Sequence, residues 1–408
     1  MSNSLKVLSR PAGVVFSCTV GNLVGVTPMV YTVFGLFLIP ISTEFGWPRS
    51  AVSIVLLIIA IAGALSYPIV GRMIDRYGAR RIILAGNLLF AASVALVSLS
   101  SASYVQFYLA YALLGIAAAI PSPVTFTKVI AGWFDRNRGL FMGFVGGVGN
   151  GVGAALAPVY VNSLLVTYDW RGAMLGLAAA IVVIGFPVLF LFLRDPPKSD
   201  KKAAELTEGM TLAEARKTAT FWLILVSIAM GAGCVTAVFA HVIPMLVDRG
   251  IGMDKAITVL VTFSMVTAVW QVGVGYALDR ISKPWIAAPF YIAAMAGLLL
   301  LEFSSSYSSL LLAGVLLGLG LGTEYGILPY FLSRYFGVRH YGAISGTVYG
   351  VIVLTQGITP FLMDLNFDSS GNYRIAITVI CLALLSGAFL LTRLPPFDIH
   401  ATTGKKPG

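Results

Sequence analysis

Two titratable side chains stand inside long apolar stretches of the chain. Glu324 falls in the run LLGLGLGTEYG, and His241 falls in the run AVFAHVIPM. If such a stretch crosses a lipid bilayer, an ionised carboxylate at its centre costs about 3 kcal/mol on insertion scales, which favours the neutral acid. A histidine changes its charge near physiological pH. Both residues are therefore candidates for binding and releasing a proton.

Other chemistry is poorly supported by the residues. The three cysteines, Cys18, Cys234 and Cys381, lie within apolar runs, and their spacing fits neither a disulfide framework nor a metal site. A glycine-rich stretch at 143–153 is not followed by the GKS or GKT of a phosphate-binding loop. We find no pairing of a nucleophile with a base. The sequence thus predicts no enzyme, no cofactor, no metal and no bound nucleotide.

The composition shows whether these apolar stretches are surrounded by water or by lipid. Of 408 residues, 58% are apolar and only 11% are charged, against roughly 25% charged in soluble domains. So few charges cannot cover a water-exposed surface of this size. The net charge of +10 comes from short basic clusters between apolar runs, so we expect no nucleic acid as a partner. The class is an all-α membrane protein surrounded by lipid.

A bilayer-spanning helix needs about 20 apolar residues, and twelve stretches qualify. Their predicted bounds are 14–40, 51–70, 81–100, 104–130, 139–166, 173–193, 220–246, 256–278, 285–303, 308–332, 341–364 and 372–393. The connections are short except for the polar segment 194–219, in which a short helix is predicted from Thr211. This segment divides the chain into an N-terminal six-helix bundle (1–193), a cytoplasmic linker (194–219) and a C-terminal six-helix bundle (220–408).

Basic residues between the spans predict the orientation. With both termini in the cytoplasm, only five of the 27 lysines and arginines fall outside, namely Arg49, Arg171, Arg249, Lys255 and Arg374. Cytoplasmic loops carry an excess of lysine and arginine. We therefore expect a multi-pass protein of the inner (cytoplasmic) cell membrane with both termini in the cytoplasm.

The two halves repeat weakly at an offset of 202 to 204 residues. The paired features are Gly71 to Arg76 with Gly275 to Arg280, Trp133-Phe134 with Tyr335-Phe336, Pro158 with Pro360, and Trp170-Arg171 with Tyr373-Arg374. Because each half has an even number of spans, both copies point the same way across the membrane. A parallel repeat of this kind is typical of two bundles related by an axis along the membrane normal. Rocking of the two bundles would give alternating access to a central site.

The segment GRMIDRYGARR at 71–81 resembles the loop between spans 2 and 3 of the major facilitator superfamily. The resemblance covers essentially the whole chain and implies a secondary transporter of twelve spans. The stretches YTVFGLF at 31–37 and PISTEFGWPR at 40–49 are similar to the monocarboxylate and oxalate–formate branch. That branch implies small organic anions, moved with a proton or by exchange.

The chain departs from that branch in span 8. Members often carry an arginine there that receives the substrate carboxylate. Residues 256–278 contain no charged residue at all, and Trp270 and Gln271 occupy the lower middle of the span. A zwitterionic or cationic solute therefore stays an alternative. Exchange of anions without net proton movement is another alternative, and a membrane sensor of a solute is an alternative outside transport.

Solute-binding candidates are aromatic and amide side chains near mid-depth, because rings and hydrogen-bonding groups suit a planar or short-chain solute. The resemblance places Tyr31, Trp270 and Tyr349 on spans that line the cavity. The complete set is Tyr31, Asn150, Trp270, Gln271, Tyr325, Tyr349 and Gln356. Glu302 and Asp364 fall near the outer ends of their spans, where we expect water to reach them.

Two further expectations concern movement. Charged residues in both halves of the repeat, if held together by charge-assisted hydrogen bonds, would form a cytoplasmic gate of Asp75, Arg76, Arg80, Asp279 and Arg280. The glycines of span 5 predict close contact with a helix of the other half, since small residues let helices approach. The expected activity is proton-coupled symport of a small organic solute by a monomer, with Glu324 and His241 as the proton-coupling groups.

Overall fold

The computed structural model describes residues 2–134, 138–195, 209–281, 283–337 and 340–396. Within these ranges, twelve helices are long and apolar enough to cross a membrane, which confirms the predicted number of spans. The described residues form no β-strand. A single isolated bridge joins Gly209 to Gly337, where the linker meets the end of the tenth span.

The first six spans form the first half of the protein. Several of them are interrupted, and the helical segments are Ser2–Leu23, Thr27–Thr32 (a π-helix), Phe34–Phe45, Arg49–Tyr77, Ala79–Val97, Tyr104–Ala118, Pro123–Trp133, Arg138–Thr167, Trp170–Ala180, Ile181–Gly185 (a π-helix) and Phe186–Phe192.

The last six spans form the second half and are mostly continuous. The helical segments are Leu212–Ala215, Ala219–Asp248, Met253–Ile281, Pro284–Ala287 (a 3-10 turn), Ala288–Phe303, Tyr307–Phe336, Tyr341–Ser370 and Arg374–Thr392. The short helix expected in the linker is Leu212–Ala215. It is preceded by a capping box, in which the hydroxyl of Thr211 accepts from the backbone N–H of Glu214 and the Glu214 carboxylate accepts from the backbone N–H of Thr211.

The interruptions of the first and fourth spans have a local cause. The fourth span breaks at residues 119–122, between Tyr104–Ala118 and Pro123–Trp133. Proline has no backbone N–H and is favoured at the first position of a helix, and the Ser122 hydroxyl caps the new helix by accepting from Thr125 N. In the first span, Pro28 opens the π-helical turn Thr27–Thr32. The continuous spans predicted at 14–40 and 104–130 are therefore each divided.

Two equivalent pairs of helices make the most extensive contacts between the halves. The fifth span packs on the eighth, and the eleventh span packs on the second. A Cβ added at Gly151 of span 5 would overlap the Cβ of Ala268 in span 8, and one added at Gly357 of span 11 would overlap the Cβ of Ala60 in span 2. The repeat relates span 5 to span 11 and span 8 to span 2, so these contacts are equivalent. The close approach expected for span 5 is confirmed.

The helix ends define two ends of the molecule. We call the end at which span 2 begins the Arg49 end, and the end at which span 3 begins the Arg80 end. At the Arg80 end, Gly78 closes the second helix with a φ of 89°. The Asp195 carboxylate there accepts from the backbone N–H of Arg80, 2.9 Å away, and so caps the start of the third span.

Candidate functional site

A cavity of about 80 Å³ lies between the two halves, beside the contact of the fifth and eighth spans. Helices of both halves line it, and its polar groups are hydroxyls and amides. None of the described lining residues carries a charge. The lining residues are Thr27, Tyr31, Gly147, Asn150, Gly151, Ala154, Thr236, Phe239, Ser264, Thr267, Ala268, Gln271, Leu321, Tyr325 and Gln356.

Five of the seven solute-binding candidates line this cavity: Tyr31, Asn150, Gln271, Tyr325 and Gln356. Trp270 does not line it. Its indole N–H donates to the hydroxyl of Thr323 at 2.9 Å, and its ring packs on Phe290, with the ring centroids 4.8 Å apart. Tyr349 is also absent from the lining and lies near Tyr325. The structure thus brings five candidates together and places two beside them.

Hydrogen bonds inside the cavity leave some polar atoms available. The Gln356 amide donates to the hydroxyl of Thr236 at 3.1 Å. The Asn150 side-chain oxygen is buried and has no hydrogen-bond partner among the described residues. A buried amide oxygen without a partner is costly. A solute that supplies a donor at this point would remove that cost.

Four threonine and serine residues of the lining were not among the sequence candidates, namely Thr27, Thr236, Ser264 and Thr267. The spacing of two of them in the sequence could have indicated this position. Ser264, Thr267 and Gln271 follow one another at intervals of three and four residues, which places them on one face of the eighth helix. A polar stripe on a membrane helix indicates a face turned away from lipid.

Glu324 lies outside the cavity lining, inside the second half. It is 2% exposed, and neither carboxyl oxygen has a hydrogen-bond partner among the described residues. Glycine at 231 makes the space for it, since a Cβ there would collide with a Glu324 oxygen and with the hydroxyl of Tyr291. The next residue, Tyr325, lines the cavity. Glu324 therefore lies one layer behind the cavity wall.

His241 is fully buried and faces Asp364 of span 11. Its Nε2 lies 2.9 Å from Oδ2 of Asp364, and its Nδ1 lies 2.8 Å from the backbone oxygen of Ala237. The expectation that water reaches Asp364 is wrong, because its side chain is 0% exposed. The neighbouring helices enclose this part of span 11, so position near the end of a span does not mean contact with water.

Four residues close the Arg49 end across the two halves, and we call them the Arg49 latch: Arg49, Asp248, Asp368 and Tyr373. The Arg49 guanidinium binds Asp248 through two hydrogen bonds of 2.6 and 2.8 Å. It also donates to the hydroxyl of Tyr373 at 3.0 Å. The Asp368 carboxylate accepts from the backbone N–H groups of Arg49 and Ser50 at 3.0 and 2.8 Å. An anion from the second half thus caps the N-terminus of span 2, where helix dipoles favour negative charge.

The predicted gate lies at the opposite end and is only partly described. The Asp75, Asp279 and Arg280 side chains lie outside the described residues. Arg76 is exposed, with its guanidinium over the ring of Tyr77. Arg80 donates to the backbone oxygen of Phe190 at 2.7 Å, within its own half. A latch between the halves at this end stays a prediction.

The STEFGW stretch at 42–47 builds the Arg49 end of the first half. Glu44 accepts from the indole N–H of Trp170 and from the guanidinium of Arg171. Gly46 adopts a φ of 67° and ends the helix. The Trp47 ring stacks on Tyr104, with centroids 4.1 Å apart. These contacts join the first span to the fourth and sixth spans of the same half.

Comparison with known proteins agrees with this architecture. The sequence profile of the Major Facilitator Superfamily matches residues 22–363, with a second match over 242–407. The fold is similar to the solved structure of a bacterial homologue of the human lysosomal transporter Spinster, in an inward-facing and unoccupied conformation. The TM-score is 0.68 at 16% identity, covering 94% of each chain.

Relatives with curated names are transporters. The human monocarboxylate transporter 11 is 26% identical over 362 residues, covering 83% of this chain and 73% of that protein. The 3-(3-hydroxy-phenyl)propionate transporter of Escherichia coli K12 is 28% identical over 337 residues, covering 77% of this chain and 78% of that protein. The MFS transporter asaE of Aspergillus flavus is 23% identical over 335 residues, covering 80% and 73%. With the family match, the twelve spans and the cavity between the halves, the chain belongs to the Major Facilitator Superfamily and is a multi-pass membrane transporter.

Proposed function

We propose that this transporter moves a small organic solute, a monocarboxylate or a related organic anion, together with a proton by alternating access. One observation carries the proposal: the two halves enclose a small cavity with hydrogen-bonding groups from both sides. The glycine contacts at Gly151 and Gly357 let the halves approach closely around that cavity. Rocking of one bundle against the other would expose it to each side in turn.

Relatives and the cavity support the proposed substrate class. Two relatives are named for monocarboxylates and for an aryl propionate. The described lining contains no cation to neutralise a carboxylate, and a bare charge in such a cavity would be costly. We therefore propose that a proton delivered through Glu324 neutralises the acid in the cavity, so that the bound cargo carries no net charge. Asn150 would accept a hydrogen bond from the acid hydroxyl.

The same uncharged lining favours a second candidate, a zwitterionic solute without net charge. Its ammonium group would meet the Asn150 oxygen and the tyrosine hydroxyls, and its carboxylate would meet the amide and hydroxyl donors of Gln271 and Ser264. Proton coupling applies to both candidates, with Glu324 and His241 as the titratable groups of the second half.

The basic residues support the orientation stated from the sequence: the Arg80 end faces the cytoplasm and the Arg49 end faces outside. We propose the inner cell membrane as the location and a monomer as the working unit. The Arg49 latch would then be the outer closure.

Uptake by reconstituted vesicles tests the proposal. Vesicles at internal pH 7.5 are placed at external pH 5.5 with labelled lactate, 3-(3-hydroxyphenyl)propionate, glycine betaine or choline. Accumulation of an acid that a protonophore abolishes is the expected result. Uptake that requires a counter-solute loaded inside would indicate exchange, and binding without uptake would indicate a sensor.

Asn150 offers a matched pair of variants on one helix. Asn150→Ala should raise the solute KM at least about fivefold, since a neutral hydrogen bond is worth about 1 kcal/mol. Asn162→Ala lies twelve residues further along the same helix, about 18 Å away at 1.5 Å per residue, and should retain the wild-type KM. Equal effects of the two variants would remove Asn150 from the solute site.

A further inference from the structure

The His241–Asp364 pair and the Arg49 latch form one continuous chain of polar contacts. From the interior outward it runs from the Ala237 oxygen to His241, then to Asp364, Tyr373, Arg49 and Asp248. The donors in this chain can be assigned from chemistry alone. That assignment shows where the closed arrangement can take up a proton.

The contact at Ala237 fixes the first proton. A backbone carbonyl oxygen can only accept, so the His241 Nδ1 at 2.8 Å must carry a hydrogen. The Nε2 atom lies 2.9 Å from Oδ2 of Asp364. Neither atom has a hydrogen-bond partner among the described residues, so the contact is a close electrostatic pairing and not an aligned hydrogen bond. A lone pair on Nε2 would face the carboxylate unfavourably, whereas a proton there would make the contact an ion pair. The arrangement therefore offers a place for one proton in addition to that on Nδ1.

The hydrogen bonds that connect Asp364 to the latch have a defined donor and acceptor at each step. Arginine only donates, so Tyr373 accepts from Arg49 at 3.0 Å. Its single hydroxyl proton is then directed to Oδ1 of Asp364, 3.4 Å away. Asp364 thus contacts the titrating ring through one oxygen and the latch through the other. A change of charge at His241 would therefore act on the same carboxylate that accepts from Tyr373.

The fold does not require a histidine here. The first half repeats the local sequence at an offset of 204 residues, with Ile39-Pro40 matching Ile243-Pro244 and Gly46 matching Gly250. The two glycines share positive φ values of 67° and 78°. At this offset the counterpart of His241 is Phe37, which is 2% exposed. A buried ring packs in both halves, but only the second half has one that titrates.

Asp248 of the latch also has an acidic counterpart in the first half at this offset. The counterpart of Asp248 is Glu44, which binds Trp170 and Arg171 of its own half. Asp248 instead binds Arg49 of the opposite half. The repeat therefore carries a structural ion pair in the first half and a contact between halves in the second.

We infer that the His241–Asp364 pair binds one proton when the Arg49 latch is closed, and that release of this proton favours opening of the Arg49 end. This inference rests on the proposed proton coupling and names the element that senses the proton. The charged and titratable groups around the pair are Arg49 from span 2, Asp248 from span 7, Asp368 from span 11 and Tyr373 before span 12.

The sign of the effect follows from linkage. The closed arrangement retains a proton that the open one releases, so the closed population increases as the pH falls. For one proton, the ratio of closed to open molecules rises by up to about tenfold for each pH unit. In the proposed orientation, acid outside would close the outer end over a bound solute.

Spin-label distances at the Arg49 end test this without any solute. Labels are placed at Ser101 in the first half and Ser305 in the second, both exposed, in a variant whose three cysteines are replaced by alanine. Distances between the two labels are measured by pulsed electron paramagnetic resonance between pH 5.5 and 8.0. The short-distance population should increase as the pH falls. A distribution that does not change with pH would overturn the inference.

Variants test whether the pH response comes from the polar contacts that run from His241 to Asp248. His241→Phe copies the residue that the first half buries at this position and should abolish the pH response, as should Asp364→Asn. Tyr373→Phe keeps the proton pair but removes the link and should at least halve the response. Glu302→Gln changes an acid that takes no part in these polar contacts, and it should respond as wild type. A wild-type response in both His241→Phe and Asp364→Asn, or its loss in Glu324→Gln, would place the sensing proton elsewhere.

The two proposals fail in different ways. If vesicles accumulate no solute on a proton gradient while the label distances still follow pH through His241 and Asp364, the proposed transport is wrong and the proton-linked latch stands. If gradient-driven uptake is normal while the distances ignore pH, the latch inference is wrong.

Discussion

Gly151 and Ala268 meet across the boundary between the two halves, so closely that a single added methyl group at Gly151 would overlap the Ala268 side chain. The two residues also line the cavity. Backbone-level contact between spans 5 and 8 therefore depends on the absence of a side chain at one position. Movement of the halves must slide or separate this contact.

Gly151→Ala should slow uptake at least about fivefold, because overpacking of a tight contact costs roughly 1–3 kcal/mol. Gly143→Ala is the matched control on the same helix, since a Cβ there has no neighbour within 4 Å, and it should transport normally. The double variant with Ala268→Gly restores the space and should recover most of the rate. Equal rates for Gly151→Ala and Gly143→Ala would show that this contact does not limit transport.

Glu324→Gln should fold and bind solute but lose accumulation driven by a pH gradient. The amide keeps the shape of a side chain whose pocket is set by Gly231 and Tyr291, but it cannot gain or lose a proton. Uptake is compared with and without the gradient, beside Glu302→Gln, which changes a half-buried acid near a helix end. Wild-type dependence on the gradient would exclude Glu324 as the proton carrier and leave His241.

Asp75→Asn should slow transport while leaving solute affinity within a few-fold, because the residue belongs to a motif near the Arg80 end, away from the cavity. The test measures KM and kcat in vesicles together with equilibrium binding. A large loss of binding with normal cycling would contradict a gating role for this residue.

Cysteine labelling tests the orientation. In intact cells, a membrane-impermeant maleimide should fail to label a cysteine at Ser199, which belongs to the basic linker. The same reagent should label a cysteine at Ser101, which lies at the Arg49 end. The opposite pattern would reverse the orientation and would place the Arg49 latch inside the cell.

The number of spans, the repeat and the family can be read from the amino-acid sequence. Lipid imposes a length and a polarity on every crossing helix, and these can be read from local composition. The same reasoning identified Tyr31, Asn150, Gln271, Tyr325 and Gln356 as polar or aromatic groups at membrane depth, where such groups are rarely turned to lipid. It also identified the glycines of span 5 as a contact surface.

The face that each helix turns to the cavity, and the distant residues that meet, become visible only in the folded bundle. Trp270 and Gln271 are adjacent in sequence, yet Gln271 lines the cavity while Trp270 donates to Thr323 beside it. His241 and Asp364 lie 123 residues apart, and Arg49 binds Asp248 from the other half. Helical periodicity fixes the angle between neighbouring side chains, but the rotation of each helix is set by its packing partners. The proton-binding pair and the latch are therefore properties of the assembled bundle.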